Sequence, residues 1–297
     1  MIKTTELQTD VVVEHTCILG EGPLWDAKRK VICWIDILRG EIHEYSLGQK
    51  TFRTIQVHQM VGSIAVCTNG DFIGALQNGF GFIDRTTGVV RKILDPEAHL
   101  PDNRFNEGKC DPGGRFWAGT MPLSEEEPAG SVYVAGRDFS ITKKIDGVTI
   151  SNGMAWSSDH RTFYYIDTPT FEVAAYDYDK ASGHINNKRI IIKIPKQEGS
   201  PDGMTIDNEG MLWIGHWGGW QVARWNPDTG EKLHHIKLPV ANVTSCTFGG
   251  ENLDDLYITS ARKGFTEEEL HKQPLAGSLF VVRNCGFKGM PAFEFET

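Results

Sequence analysis

The chain states one pattern six times. In Ser200 to Asp207 a polar residue is followed by Gly, a short apolar alternation and an Asp at a turn, and then by a second strand from Met211 to Gly215. Anchored on the turn glycine, equivalent hairpins begin at Glu21, Gly62, Asn106, Asn152 and Thr244, and successive copies lie 41 to 50 residues apart. A period in this range with paired short strands signals a β-propeller. A further strand pair follows each hairpin, as at Glu41 to Tyr45 and Gln221 to Trp225, with turns such as Asn226 to Gly230 closing them. The predicted architecture is therefore all-β: a six-bladed β-propeller with four-stranded antiparallel blades around a central channel.

Length alone would suggest about two domains. A repeat spanning residues 21 to 262 of 297 argues instead for a single domain over 1–297. The strand-like residues from about 10 to 18 precede the first copy and are expected to complete the last blade, which removes an exposed sheet edge; Phe293 to Phe295 compete for that role. The best helical candidate is one short turn from Thr266 to His271, with Thr266 capping against Glu269.

A net charge of −9 and the lack of a Lys/Arg cluster with interleaved aromatics exclude nucleic acid as a natural partner. No segment reaches the roughly 18 apolar residues of a membrane span, and the polar start resembles no signal peptide, so a soluble, cytoplasmic protein is expected, a monomer or weak homo-oligomer. Six cysteines stand singly without a CxxC, which points to buried thiols rather than disulfides or a zinc site.

In a propeller the first strand of each blade lines the channel, so the residues that begin it meet at one rim although distant in sequence. Glu21, Asn106, Asn152 and Asp202 should converge there. Singly, each is an ordinary strand-end turn former. Together, two carboxylates at a rim repel unless a proton or a cation neutralises them. With two amide carbonyls they make an all-oxygen set suited to one divalent cation, Ca²⁺ first by ligand type, with Mg²⁺, Mn²⁺, Zn²⁺ and Fe²⁺ open. Second-strand ends return to the same rim, which makes Asp36, Thr120, Asp167, His216, Trp217 and Arg262 candidates for its wall; Trp217 and Trp220 offer faces for stacking on a sugar.

Leu19-Gly20-Glu21-Gly22-Pro23-Leu24-Trp25, Asn103 to Asp111, Ala118-Gly119-Thr120-Met121, Ser151 to Ser157, Pro201-Asp202-Gly203-Met204 and Cys246 to Gly250 together resemble the SMP-30/gluconolactonase/regucalcin-like family, over almost the whole chain. The resemblance implies a metal-dependent lactonase acting on a small-molecule sugar lactone in carbohydrate metabolism. By motif it implies Glu21, Asn152 and Asp202 as metal ligands, Arg104 and Asn106 as substrate contacts, and Asp202 as general base. The chain departs from an acidic position shortly after Gly-Thr-Met: the equivalent falls near Ser124, with Glu125 beside it, which leaves the sugar open. Two other readings stand beside this one, an organophosphate or aryl-ester hydrolase on the same kind of propeller and a non-catalytic calcium-binding protein. The polar rim of Asp102, Asn103, Arg104, Asn106 and His216 favours polyols over apolar esters.

Overall fold

Each copy of the repeat folds as one four-stranded antiparallel sheet, and six such sheets form the ring. The structure is a computed structural model that describes residues 8–297. The inner strands are Gly20–Asp26, Val61–Val66, Asn103–Cys110, Ser151–Trp156, Ser200–Ile206 and Val243–Gly249, which begin blades 1 to 6 in that order. Inner strands of adjacent blades pack side by side all the way round, that of blade 6 meeting that of blade 1. Burial falls outward. Every residue of Val61–Val66 is buried, whereas the outermost strand of blade 1, Thr51–Gln56, buries only Ile55.

The core is divided among the seams between blades. Six apolar clusters lie in the described residues, one in each seam. Second-strand tryptophans dominate several: Trp117 of blade 3 packs 5.7 Å from Trp156 and 4.9 Å from Phe163 of blade 4, and Trp213 of blade 5 lies 5.7 Å from Phe248 of blade 6 (ring centroids). The far end of the inner strand is locked by an aspartate. Asp111 Oδ1 accepts from the amides of Gly113 and Arg115 and so shapes the turn, while its Oδ2 accepts from Trp117 Nε1, Arg115 Nη1 and Tyr178 OH. Asp207 repeats the arrangement with the amides of Glu209 and Met211, Trp213 Nε1 and Arg224 Nε. A buried carboxylate so fully bonded ties turn, core and neighbouring strand together.

Blade 6 is completed from the other end of the chain. Asp10–Val11 pairs antiparallel with Phe280–Val282 as its outermost strand. That strand is shorter than the segment 10–18 suggests: residues 12 to 17 bend along the seam, held by Val12 N–H on Leu279 O and Cys17 N–H on Gly277 O. The C-terminal tail goes elsewhere, Phe295 bridging to Cys67 of blade 2. The helix Glu267–Lys272 forms with the reciprocal Thr266–Glu269 capping box. All six cysteines are free and buried. No helix among the described residues is long and apolar enough to cross a membrane.

Candidate active site

The ladder between first and second strands slips at the same point in every blade: Glu21/Leu24, Val61/Ser63, Phe105/Gly108, Asn152/Met154, Pro201/Met204 and Val243/Cys246. A bulge leaves residues without a cross-strand partner and re-aims their side chains. Here the slip falls at or next to the motif position that begins each blade. Four of the six equivalent positions, Glu21, Asn106, Asn152 and Asp202, line one cavity of about 240 Å³, and Arg104 joins them. The other two do not. A Cβ at Gly62 would stand 2.4 Å from the Phe105 carbonyl oxygen, so blade 2 has no room for a side chain there. Thr244 turns into the seam, donating to Gly20 O at 2.6 Å.

The cavity floor holds more negative charge than positive charge can answer locally. Burial, and then the neighbouring Asp202 and Glu107, push the Glu21 carboxyl well above its ordinary range. Burial and then Glu107 do the same to Asp202. Glu21 accepts from the adjacent Gly22 amide at 3.0 Å, and among the described residues no basic side chain hydrogen-bonds to Glu21, Asp202 or Glu107. Glu107 Oε2 is buried with no partner at all.

Asn152 is held from behind. Its Nδ2 donates to Thr168 Oγ1 at 2.8 Å, and Thr168 donates onward to Pro201 O at 2.8 Å, next to Asp202. That relay fixes the amide and leaves Oδ1 as the acceptor, 3.4 Å from Asn106 Nδ2, in the residue that lines the cavity beside Glu21 and Asp202. Asn106 accepts from Arg104 Nη1 at 2.7 Å through Oδ1 and donates to Ser151 O at 2.9 Å. Arg104 is buried, which lowers its pKa, with Glu125, Glu21 and Asp202 acting to keep its charge. Its Nη1 is taken by Asn106 and the Phe105 carbonyl, whereas Nε and Nη2 make no bond within the described protein. Those donors stay open for a ligand. Two hard carboxylates and an oriented amide oxygen, crowded and unneutralised, fit a hard divalent cation.

The second-strand candidates divide. Trp217 lines the cavity. Asp36 and Asp167 instead hold its walls from behind, accepting from the amides of Leu19 and Ile150, two residues that do line it. Thr120 bonds Glu97. His216 lies beneath the wall, its Nδ1 on Glu198 O at 3.0 Å, and burial pushes its pKa down to about 4. Trp220 is 44% exposed and away from the cavity. Arg262 turns to Thr16, and the next residue, Lys263, takes the wall position. After Gly-Thr-Met it is Glu125, not Ser124, that reaches the cavity, ion-paired with Lys263 and in the left-handed backbone region at φ 62°.

Sequence reasoning passed over Glu107 and Lys109. They lie deeper, with Gly22, Trp156 and Ser245, around a second cavity of about 80 Å³ whose far end is lined by Met290 to Phe293 of the C-terminal tail. Lys109 donates to Met204 O at 2.7 Å. The signal for Glu107 was its place beside Asn106 inside a bulge, where two consecutive residues lose strict alternation.

Residues 19–262 match the SMP-30/Gluconolactonase/LRE-like region family. Regucalcin from Gallus gallus is 39% identical over 282 residues, covering 93% of this chain and 94% of that protein, and regucalcin from Danio rerio is 38% identical over 293 residues, covering 98% and 99%. Among solved structures, a calcium-binding regucalcin from Agrobacterium tumefaciens superposes with a TM-score of 0.93 at 28% identity, covering 98% of each chain. A luciferin-regenerating enzyme gives 0.91 at 31% identity over 98% of this chain and 99% of its own. The chain belongs to the SMP-30/gluconolactonase/LRE-like family.

Proposed function

We propose that this chain is a lactonase that hydrolyses the lactone of a sugar acid to the open-chain acid, with Asp202 as general base. The observation that carries this reading is the meeting of Glu21, Asn152 and Asp202 with the open donors of Arg104 in one cavity. Glu21, Asn152 and Asp202 would hold a divalent cation, Ca²⁺ first by donor type, with Mg²⁺, Mn²⁺, Zn²⁺ or Fe²⁺ as the other choices. When bound, such an ion supplies Lewis-acid polarisation of the lactone carbonyl.

The protein's own residues do the rest. Asp202 takes a proton from the attacking water as its oxygen joins the carbonyl carbon. The ring C–O bond then breaks, and its oxygen takes up that proton from Asp202 to become the new hydroxyl, which returns Asp202 to its carboxylate. Arg104 and Asn106 hold the substrate's oxygens at the polar side of the cavity. Leu19, Met121, Ile150 and Trp217 supply the apolar part of the same lining, a mixture that suits a sugar ring better than an aryl ester or a phosphotriester. Glu125 and Lys263 at the rim would read the hydroxyls farthest from the reacting bond.

The family description, which names gluconolactonase, supports this reading. A second reading, calcium binding without turnover, is favoured by the Agrobacterium relative described as a calcium-binding regucalcin and by the same oxygen donors. The separating experiment is hydrolysis of a panel of aldono-lactones by metal-stripped protein with each cation restored in turn. Turnover of one lactone above its spontaneous rate, with a cation restored and Asp202 intact, establishes the lactonase; binding of Ca²⁺ with no turnover of any lactone leaves the binding role.

A further inference from the structure

A second cluster of metal-ligating side chains lies on the flank of blade 1, apart from the channel. His15 and Cys17 belong to the segment that follows the closing strand of blade 6, and His43 stands on the third strand of blade 1, Glu41–Ser46. One ligand atom from each of the three falls within 4.8 Å of the others. Glu41 adds a fourth donor, its Oε2 lying 3.6 Å from His43 Nε2. The Nε2 atoms of both histidines and Oε2 of Glu41 are buried with no hydrogen-bond partner, and His43 is completely buried. Three orphaned polar atoms side by side are costly in a folded protein unless something binds them.

The surroundings prepare each donor. Thr54 Oγ1 is 3.0 Å from His43 Nδ1, so with that nitrogen donating, the lone pair of Nε2 is left for the cluster. Gln56 Nε2 donates to Glu41 Oε1 at 2.7 Å and leaves Oε2 facing His43. Trp34 packs against the cluster, its ring centroid 5.1 Å from that of His43. His15 packs on His43 with ring centroids 4.4 Å apart. Burial pushes His43 down to about 3 and also lowers His15, so both rings are neutral at physiological pH, the form that binds metals.

We propose that His15, Cys17, His43 and Glu41 form a structural zinc site that clasps the chain's closing segment to blade 1. Nitrogen and sulfur donors select a borderline-soft ion over Ca²⁺, and four protein donors leave no open position for chemistry. Tetrahedral zinc, with Zn–N about 2.1 Å and Zn–S about 2.3 Å, sets such donors about 3.3–3.8 Å apart, so His15, Cys17 and His43 close by about 1 Å on binding, while Glu41, outside that 4.8 Å set and 3.6 Å from His43 Nε2, swings in from the side of His43. Binding releases the Cys17 proton. The resulting thiolate and the Glu41 carboxylate balance the ion's two positive charges, which makes a neutral site suited to burial. Because Asp10–Val11 completes blade 6 and His15 and Cys17 would be fixed to blade 1, the ion would fasten the seam where the ring closes.

The test uses metal-stripped full-length protein titrated with Co²⁺ as the probe. One equivalent should give the near-ultraviolet thiolate-to-cobalt band, and Zn²⁺ should displace it. Cys17→Ser should abolish the band, and His15→Gln, at a half-buried position the fold tolerates, should weaken cobalt binding at least about tenfold. Asp202→Asn should leave the band intact, which separates this site from the channel. On an Asp202→Asn background, which removes a channel ligand, Zn²⁺ should raise the melting temperature, and adding Cys17→Ser should abolish that rise. Absence of a thiolate band at saturating Co²⁺ in the wild type, or its survival in Cys17→Ser, overturns the site.

Discussion

Asp202→Asn separates the two roles assigned to one carboxylate. As a base, Asp202 supplies proton transfer, an effect on the order of 10²–10⁴ in rate; kcat should fall by that factor, a barrier increase of about 2.7–5.5 kcal/mol. As a ligand, it is a buried anion beside Glu21 and Glu107 with no basic hydrogen-bond partner among the described residues. Removing its charge from cation-free protein should relieve that crowding, a gain of about 0.5–2 kcal/mol of the kind found where function holds a site under strain. At about 1.5–2 °C per kcal/mol for a chain of this length, the variant should melt about 1–4 °C above wild type in EDTA. Ca²⁺ at a hundred times its Kd should stabilise the wild type by about 2.7 kcal/mol, about 4–5 °C, and the variant hardly at all. Calorimetry in EDTA and in Ca²⁺, beside pH-stat kinetics on the best lactone, reads all three effects. A variant that melts below wild type in EDTA refutes the charge-crowding account, an undiminished Ca²⁺ shift refutes the ligand role, and a loss of kcat under tenfold refutes the base.

Thr168→Val cuts the relay that orients Asn152 and should weaken cation affinity about 10–100-fold with the fold intact, as isothermal titration would record. Arg104→Met removes the open guanidinium donors; loss of a charged hydrogen bond worth about 1.5–3 kcal/mol should lower kcat/KM by roughly 10–150-fold while cation affinity stays unchanged. His216 is held neutral by burial, with a folded pKa of about 4 below its unfolded value of 6.5. The unfolded chain therefore binds the extra proton first, and stability present above pH 6.5 is lost as pH falls to about 4, by about 3 kcal/mol; thermal melts of His216→Gln should show a flatter slope across that window. Asp111→Ala leaves Arg115, Trp117 Nε1 and Tyr178 OH without their acceptor and should cost about 3–5 kcal/mol in urea unfolding, against about 1 kcal/mol for Tyr178→Phe.

The blade count was legible because each blade must restate the same hairpin, and its turn residues and apolar alternation survive in the sequence. What escaped was local direction. Strict alternation places successive side chains on opposite faces, but inside the bulge between Phe105 and Gly108 both Asn106 and Glu107 lack cross-strand partners, so aligning the repeats, which marks one residue per blade, found the first and missed the second. Lys263 rather than Arg262 faces the cavity because the backbone leaves its strand at Ser260, beyond which no periodicity applies. The His15, Cys17 and His43 cluster was invisible for a different reason. Its members have no metal-motif spacing, and only the bend of residues 12 to 17 along the seam brings them to blade 1.

The pairing of a polar residue with glycine is the point where site and ring coincide. A Cβ on Gly203 would lie 2.2 Å from Ser245 Oγ of the next blade's inner strand, so the inner strands close on one another only if the residue after Asp202 has no side chain. The bulge that turns Asp202 toward the cavity is the same irregularity that brings residue 203 against blade 6. Aiming the carboxylate and sealing the seam are thus consequences of one backbone displacement. A substitution at Gly203 would force the seam apart and move Asp202 with it, whereas Asp202 itself can change without disturbing the ring. The dipeptide recurs as Glu21-Gly22 and Asn152-Gly153, the other two positions assigned to the cation, whereas blade 6 carries Thr244-Ser245 instead and turns Thr244 into the seam.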